Sequence, residues 1–364
     1  MILPLSLLVL VPWAQAALHH IFVGTVDGSS IYTIEFDDTY KTLNVIRNDS
    51  AAGATPSIVI EGTKQFLFSS RPSDGTISRY EIGQDYSLKG DGSLEIPSSC
   101  NSTSYRTIHI LPSIQHYDAI YGAATNTLCS TIFAFSTSGH YTQNSAAVPG
   151  DVHSLTFSPS GAHLHALNTA SPSILTFTIS LDDPNLTALS DTSVLPNTTF
   201  PAQIIAHPAG TRVYVVTRDS NELLSIPVDP VSANPIPGKG GIDLSRHAIL
   251  PTAPSPDTFH TTALALGLSN TTLWTLTSSP SQQSATITVF TLDPVSGAVG
   301  KKIARAAFST RGGKVTGRGG MEVTITAMPW RVGGVGGTGG TGEEDLVVVT
   351  TWPGGVVAVL GVER

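Results

Sequence analysis

The 364-residue chain holds 34 glycines and 24 prolines, which interrupt long helices but suit many short strands. Its hydrophobic content of 40% is ample for a core, whereas a charged content of only 13% and a formal charge of -8 argue against a nucleic-acid footprint. An all-β chain with no nucleic-acid partner is expected.

Residues 1–16 contain an apolar run from Ile2 to Trp13 and then Ala14-Gln15-Ala16, the small-x-small pattern that signal peptidase cleaves. The run is shorter than the roughly 20 residues that span a bilayer, so a cleaved signal peptide fits better than a membrane anchor, although the n-region lacks Lys or Arg. The expected mature chain starts near Ala17, is secreted to the extracellular space and has no membrane partner. Asn-x-Ser/Thr sequons at Asn48, Asn101, Asn185, Asn197 and Asn270 agree with export, and most fall in expected loops. Cys100 and Cys129, the only cysteines, bracket the third strand unit, and outside the cell a disulfide between them is expected, with two buried thiols as the alternative.

Paired apolar runs then recur along the chain. Ile21-Phe22-Val23-Gly24 leads to Ile31–Phe36, Gln65–Phe68 to Ile77–Ile82, and Ala119–Gly122 to Thr131–Phe135. The fourth unit is the clearest: Ser154-Leu155-Thr156-Phe157 alternates polar and apolar, Pro159 and Gly161 supply the fixed and the permissive φ of a turn, and two more apolar runs follow to Ile179. Val213–Val216 pairs with Leu223–Val228, Leu273–Leu276 with Ile287–Leu292, and Leu346–Val349 with Val356–Leu360. Repeats at an average period of about fifty residues, built of strands only, predict a seven-bladed β-propeller over residues 17–364 as one domain. A pair of β-sandwiches or a six-bladed ring is the alternative.

The first unit begins at its second strand, while Val323-Thr324-Ile325-Thr326 offers the last unit an inner strand. The segment Leu18–Gly24 is therefore expected to pair with the C-terminal blade and close the ring, which leaves no long sheet edge exposed. The segments 229–256 and 333–342 are rich in Gly, Pro, Ser or Thr and read as surface excursions. The glycine tract lacks the Lys-Ser/Thr ending of a phosphate-binding loop.

Several stretches carry a family resemblance: Leu18-His19-His20-Ile21-Phe22-Val23-Gly24-Thr25 with Ile31–Asp38, Val152-His153 before its strand, the turn His207-Pro208-Ala209-Gly210 with Tyr214, and Gly319-Gly320 to Pro329-Trp330. On these the chain resembles the seven-bladed lactonase-like propellers, most closely the fungal 3-carboxy-cis,cis-muconate cyclases, whose relatives include 6-phosphogluconolactonase. The resemblance implies a site without metal or cofactor, in which cationic groups hold carboxylates and an acid or base moves one proton.

It also implies which residues form that site. His153 stands where the family places a histidine, at the start of an inner strand, and an imidazole titrates near neutral pH. Other family positions have changed: Ala202 stands for an arginine, Arg218 for an acid and Ser279 for a further arginine. Substrate-binding candidates are therefore Arg71, Arg106, Arg218 and Glu322, with His153 as the catalytic candidate. No set of clustered carboxylates on successive inner strands favours a calcium-dependent lactonase.

Two classes of function follow. One is a secreted lactonase or cycloisomerase with a rearranged site, acting on a small carboxylate or lactone. The other is a non-catalytic propeller that binds a glycan or a protein. Convergence of His153, Arg106, Arg71, Arg218 and Glu322 on one mouth of the channel distinguishes the first from the second.

Overall fold

The computed structural model describes residues 18–25, 28–53, 55–97, 99–101, 104–115, 118–136, 144–179, 186–195, 200–238, 241–242, 244–250, 259–279, 281, 283–309, 323–332, 344–351 and 356–362. All regular structure among them is β, in seven antiparallel sheets that form the blades and one small ribbon. Blade 1 is β1 (Leu18–Gly24), β2 (Ser30–Asp37) and β3 (Thr42–Ser50); blade 2 is β4 (Ile58–Ile60), β5 (Phe66–Arg71), β6 (Thr76–Ile82) and β7 (Leu88–Glu95). Blade 3 is β8 (Thr107–Pro112), β9 (Ala119–Thr125), β10 (Cys129–Ser136) and β11 (Asn144–Pro149). Blade 4 is β12 (Val152–Phe157), β13 (His163–Asn168), β14 (Ser173–Ile179) and β15 (Leu186–Val194). Blade 5 is β16 (Pro201–Ala206), β17 (Arg212–Thr217) and β18 (Glu222–Pro227), then the ribbon β19 (Pro237–Gly238) and β20 (Gly241–Ile242), and the outer strand β21 (Ser245–Ala248). Blade 6 is β22 (His260–Leu266), β23 (Thr272–Ser279), β24 (Ser284–Leu292) and β25 (Val299–Ser309), and blade 7 is β26 (Val323–Val332), β27 (Glu344–Thr351) and β28 (Val356–Val362).

Short turns connect the inner and second strands because the sequence supplies their chemistry. In the Ser158–Gly161 turn the Gly161 N–H donates to the Ser158 carbonyl at φ 72°, a left-handed backbone that glycine adopts without strain. Gly210 does the same for His207 in blade 5, at φ 70°.

Packing shows how the ring shuts. Each blade buries both faces against its neighbours, and the buried side chains fall into seven clusters, one for each seam. An open row of seven blades has six seams; the seventh, Ile21 and Phe36 of blade 1 against Leu346, Val348, Val357 and Val359 of blade 7, closes the circle. The expected strand pairing across this seam is not what closes it. β1 is hydrogen-bonded in register to β2, Leu18 opposite Asp37 through Gly24 opposite Ile31, and among the described residues it meets the last blade through side-chain packing. It does hold the second-strand position: Thr25 at its end receives the N–H of Thr55 ahead of β4, just as Arg218 after β17 receives the N–H of Thr261 in β22.

Inner strands have one edge facing away from their own sheet, and bare N–H groups there would be costly. Side chains of the preceding blade accept them. Ser57 Oγ takes the N–H of Ile110, Ser154 Oγ that of Ile204, Thr156 Oγ1 that of Ala206, and Gln203 Oε1 that of Leu264 at 2.7 Å. These bonds fix the rotation of one blade against the next, and so the relative positions of residues at the blade seams.

Candidate functional site

All inner strands run in one direction, so their first residues gather at one end of the channel, together with the turns that follow the second strands. Blades 4, 5 and 6 share a local feature there. The pairing of inner and second strand slips by one residue between Val152 and Ser154, between Pro201 and Gln203, and between Thr261 and Ala263. These β-bulges leave His153, Ala202 and Thr262 unpaired at equivalent places, and bulges re-aim the side chains they carry.

Around His153 the seam of blades 3 and 4 assembles a polar set. His153 Nε2 lies 2.8 Å from Asp151 Oδ1, which also accepts the Thr125 hydroxyl at 2.8 Å, while Arg106 Nη1 stands 3.8 Å from Asp151 Oδ2. The Asp151 main chain is held as well, its N–H by Asn168 Oδ1 and its carbonyl by Thr169. Burial works to raise the Asp151 pKa, but the hydrogen bond and charge of His153, the Thr125 hydroxyl and Arg106 together hold it below the usual carboxylate value. A carboxylate on Nε2–H selects the imidazole tautomer with its lone pair on Nδ1, the arrangement of a general base. His109, on β8, is the neighbouring imidazole: enclosure by the surrounding blades, with the charge of His153 adding, lowers its pKa to about 4, so it is neutral near pH 7.

Arg106 lies ahead of β8 on the segment that begins at Cys100. The Cys100–Cys129 disulfide ties that segment to the first residue of β10, with the Cα atoms 5.9 Å apart. The expected pairing of the two cysteines is thus present, and it anchors the chain that carries the arginine.

The remaining candidates are placed differently. Arg71 ends β5 at the same end of the ring but is bound to Asp74 within its own turn. Arg218 follows β17, its Nε 3.9 Å from Asp219 Oδ1, and Asp219 Oδ1 is also 3.2 Å from His260 Nδ1 at the start of β22. Asp219 thus places an acid one residue after Arg218, beside the position where the resemblance implies one. Ala202 and Ser279 offer no cation; Ser279 is buried, its Oγ 3.3 Å from Ser281 Oγ. Glu322 lies outside the described residues, as do Asn185 and Asn197. Asn48 and Asn101 are exposed, whereas Asn270 sits half-buried in a turn whose Thr272 hydroxyl is committed to Asp345. Among the described residues no group of three or more His, Cys, Asp or Glu is arranged to hold a metal ion.

Sequence reasoning named His153 and Arg106 as candidates and did not name Asp151 and Thr125, which stand beside them, or Asp219 and His260 at the seam of blades 5 and 6. Asp151 carried a usable signal, since an acid two positions from a histidine at a strand entrance can reach the same ring across a bulge.

Comparison with known proteins fits this architecture. Among solved structures, a putative 6-phosphogluconolactonase from Bacteroides uniformis superposes with a TM-score of 0.64 at 14% identity, covering 96% of this chain and 97% of that one. The periplasmic gluconolactonase PpgL of Pseudomonas aeruginosa gives 0.63 at 16% identity, with 95% and 96% covered. At such identities the likeness concerns the fold. No curated protein sequence matches. The family model described as "Lactonase, 7-bladed beta-propeller" matches residues 20–217, a stretch that spans more than half the chain and includes Arg106, Asp151 and His153. The chain belongs to the seven-bladed β-propeller lactonase family.

Proposed function

We propose that this lactonase-family propeller is a secreted enzyme that acts on a small lactone or carboxylated substrate, with His153 as its proton-transfer group. The observation that carries the reading is the Arg106–Asp151–His153 set, a base, its orienting carboxylate and an exposed cation within one seam. Names of similar structures, a putative 6-phosphogluconolactonase and a gluconolactonase, support lactone opening as the reaction. In that reaction His153 Nδ1 takes a proton from water as the water oxygen bonds to the lactone carbonyl carbon. The ring C–O bond then breaks, and the leaving oxygen takes up a proton to give the hydroxy acid. Arg106, with 62% of its side chain exposed, serves to hold a substrate anion. Asp151 stabilises the imidazolium that forms.

The test is a screen of the purified protein against γ- and δ-lactones and muconates, with His153→Ala and Asp151→Asn beside the wild type. Turnover lost in His153→Ala supports the reading. No turnover on any of these substrates, with binding of an oligosaccharide or a protein instead, replaces it with the non-catalytic one. Export is tested by intact mass: loss of residues 1–16 and glycosidase-sensitive mass are expected, and a full-length chain without glycans rejects it.

A further inference from the structure

The mouth that holds His153 contains a second imidazole–carboxylate pair that the reaction above does not use. His260 opens β22 in blade 6, and its buried Nδ1 lies 3.2 Å from Asp219 Oδ1 across the seam from blade 5, within ion-pair distance though no hydrogen bond is formed, with Arg218 alongside. Register places His260 where blade 4 has Asp151: each residue stands one position before the residue that pairs just ahead of the bulge, Thr261 with Thr277 in blade 6 and Val152 with Asn168 in blade 4. Both residues turn toward the end of the preceding blade's second strand, so two seams of one ring end carry related polar sets. Blade 5 lies between them, and its own bulged residue is Ala202, a single methyl group, with Gln203 committed to the N–H of Leu264.

We propose that His260, held by the positioning residue Asp219, is a second catalytic group of this mouth and donates the proton that the leaving oxygen needs. The proposal rests on the lactone-opening reading and assigns the half-reaction left open there. Water loses its proton to His153 Nδ1 as its oxygen adds to the carbonyl carbon. The ring C–O bond breaks, and its oxygen takes the proton of His260 Nε2–H while Asp219 keeps Nδ1–H. The product is a hydroxy acid, which ionises, and solvent returns both imidazoles to their starting states. The reacting form is the imidazolium, with Nδ1–H beside Asp219 and Nε2–H toward the leaving oxygen. Asp219 and Arg218 are the charged groups beside it among the described residues; from the other side β26 brings only Arg331, whose register partner is Asp345 at the opposite end.

Two measurements test this on the full chain. Imidazole NMR signals, assigned with His153→Gln and His260→Gln, are followed while gluconate, a stable hydroxy acid, is added. Signals of both residues moving with one half-saturation point support the proposal. Movement of His153 alone overturns it and leaves the lactone reading standing, and movement of neither overturns both. In the kinetic arm, wild-type kcat/KM is expected to be bell-shaped in pH. His260→Gln should lose ~100-fold and the alkaline limb, and Asp219→Asn should move that limb to lower pH, because the imidazolium loses its carboxylate. A His260→Gln profile that keeps both limbs, scaled evenly or unchanged, means that His260 is only structural.

Discussion

The two ends of the channel use carboxylates in opposite ways. At the end where inner strands finish, Glu61 and Asp345 are 1% exposed and their bonds go to turn donors. Glu61 accepts the N–H groups of Thr63, Gln65 and Phe66 and the Thr63 hydroxyl, and Asp345 accepts the Ser269 N–H and the hydroxyls of Ser269 and Thr272. At the other end Asp151 and Asp219 face histidine ring nitrogens at 2.8 and 3.2 Å and are flanked by arginines that solvent reaches. A carboxylate surrounded by fixed N–H and O–H donors clamps a loop, while one facing an imidazole controls where a proton sits. The partner separates the two roles better than burial does.

The sharpest test of that division is a pair of substitutions. His153→Ala should cut lactone turnover by at least ~100-fold with little change in Tm, whereas Asp345→Ala should leave turnover per folded molecule unchanged. If the first lowers Tm as much as activity, the division fails. The same electrostatics bear on 3-carboxymuconate, a tricarboxylate, because this chain has Ala202 and Ser279 where the resemblance to muconate cyclases implies arginines. Turnover of it should be at least ~100-fold below that of a family cyclase, the loss of about one transition-state contact. Ordinary turnover would show that Arg106, Arg71 or another cation has taken over.

Reduction of Cys100–Cys129, which closes a loop of sequence separation 29, should cost about 3.5 kcal/mol in the chain-entropy model, and is checked by denaturant titration with and without reductant. His165 supplies a pH test well away from the site. It is 1% exposed, and burial, with His163 adding, lowers its pKa from 6.5 to about 4. Between these values the unfolded chain binds the proton more readily, so the stability from neutral His165 is full above pH 6.5 and falls toward pH 4, by up to roughly 3 kcal/mol. His165→Leu should flatten that stretch of the Tm–pH curve; an unchanged slope would assign it to other groups. The smallest effect expected is that of Asp345→Ala itself, about 2 kcal/mol for donors left without their acceptor, read from the midpoint of unfolding.

Blades were legible in the sequence because each is local. Ser158–Gly161 and His207–Gly210 announce their turns by Pro and Gly chemistry, and Ser154–Phe157 announces its strand by alternation. The pairing of β1 with β2 was legible as the first repeat, but ring closure was not, since the seam to the last blade is made by side-chain packing between opposite ends of the chain and not by the expected strand pairing. The site was half legible for the same reason. His153 stands out locally, but the Thr125–Asp151 bond spans 26 residues and the Asp219–His260 pair joins two blades, so which polar residues meet depends on the blade-to-blade rotation.

The repeated bulge has a consequence for how such a protein changes. His153, Ala202 and Thr262 occupy equivalent sockets whose backbone is set by strand pairing and not by the side chain that fills them. Exchange among the three sockets leaves the strand pairing alone, and the limit on what each can hold is set by packing, since Ala202 lies against the seam of blades 5 and 6 and the Thr262 hydroxyl is buried. Within that limit, a library restricted to those three positions should stay largely folded while sampling acids, bases and cations around one mouth, a short mutational route between related substrates.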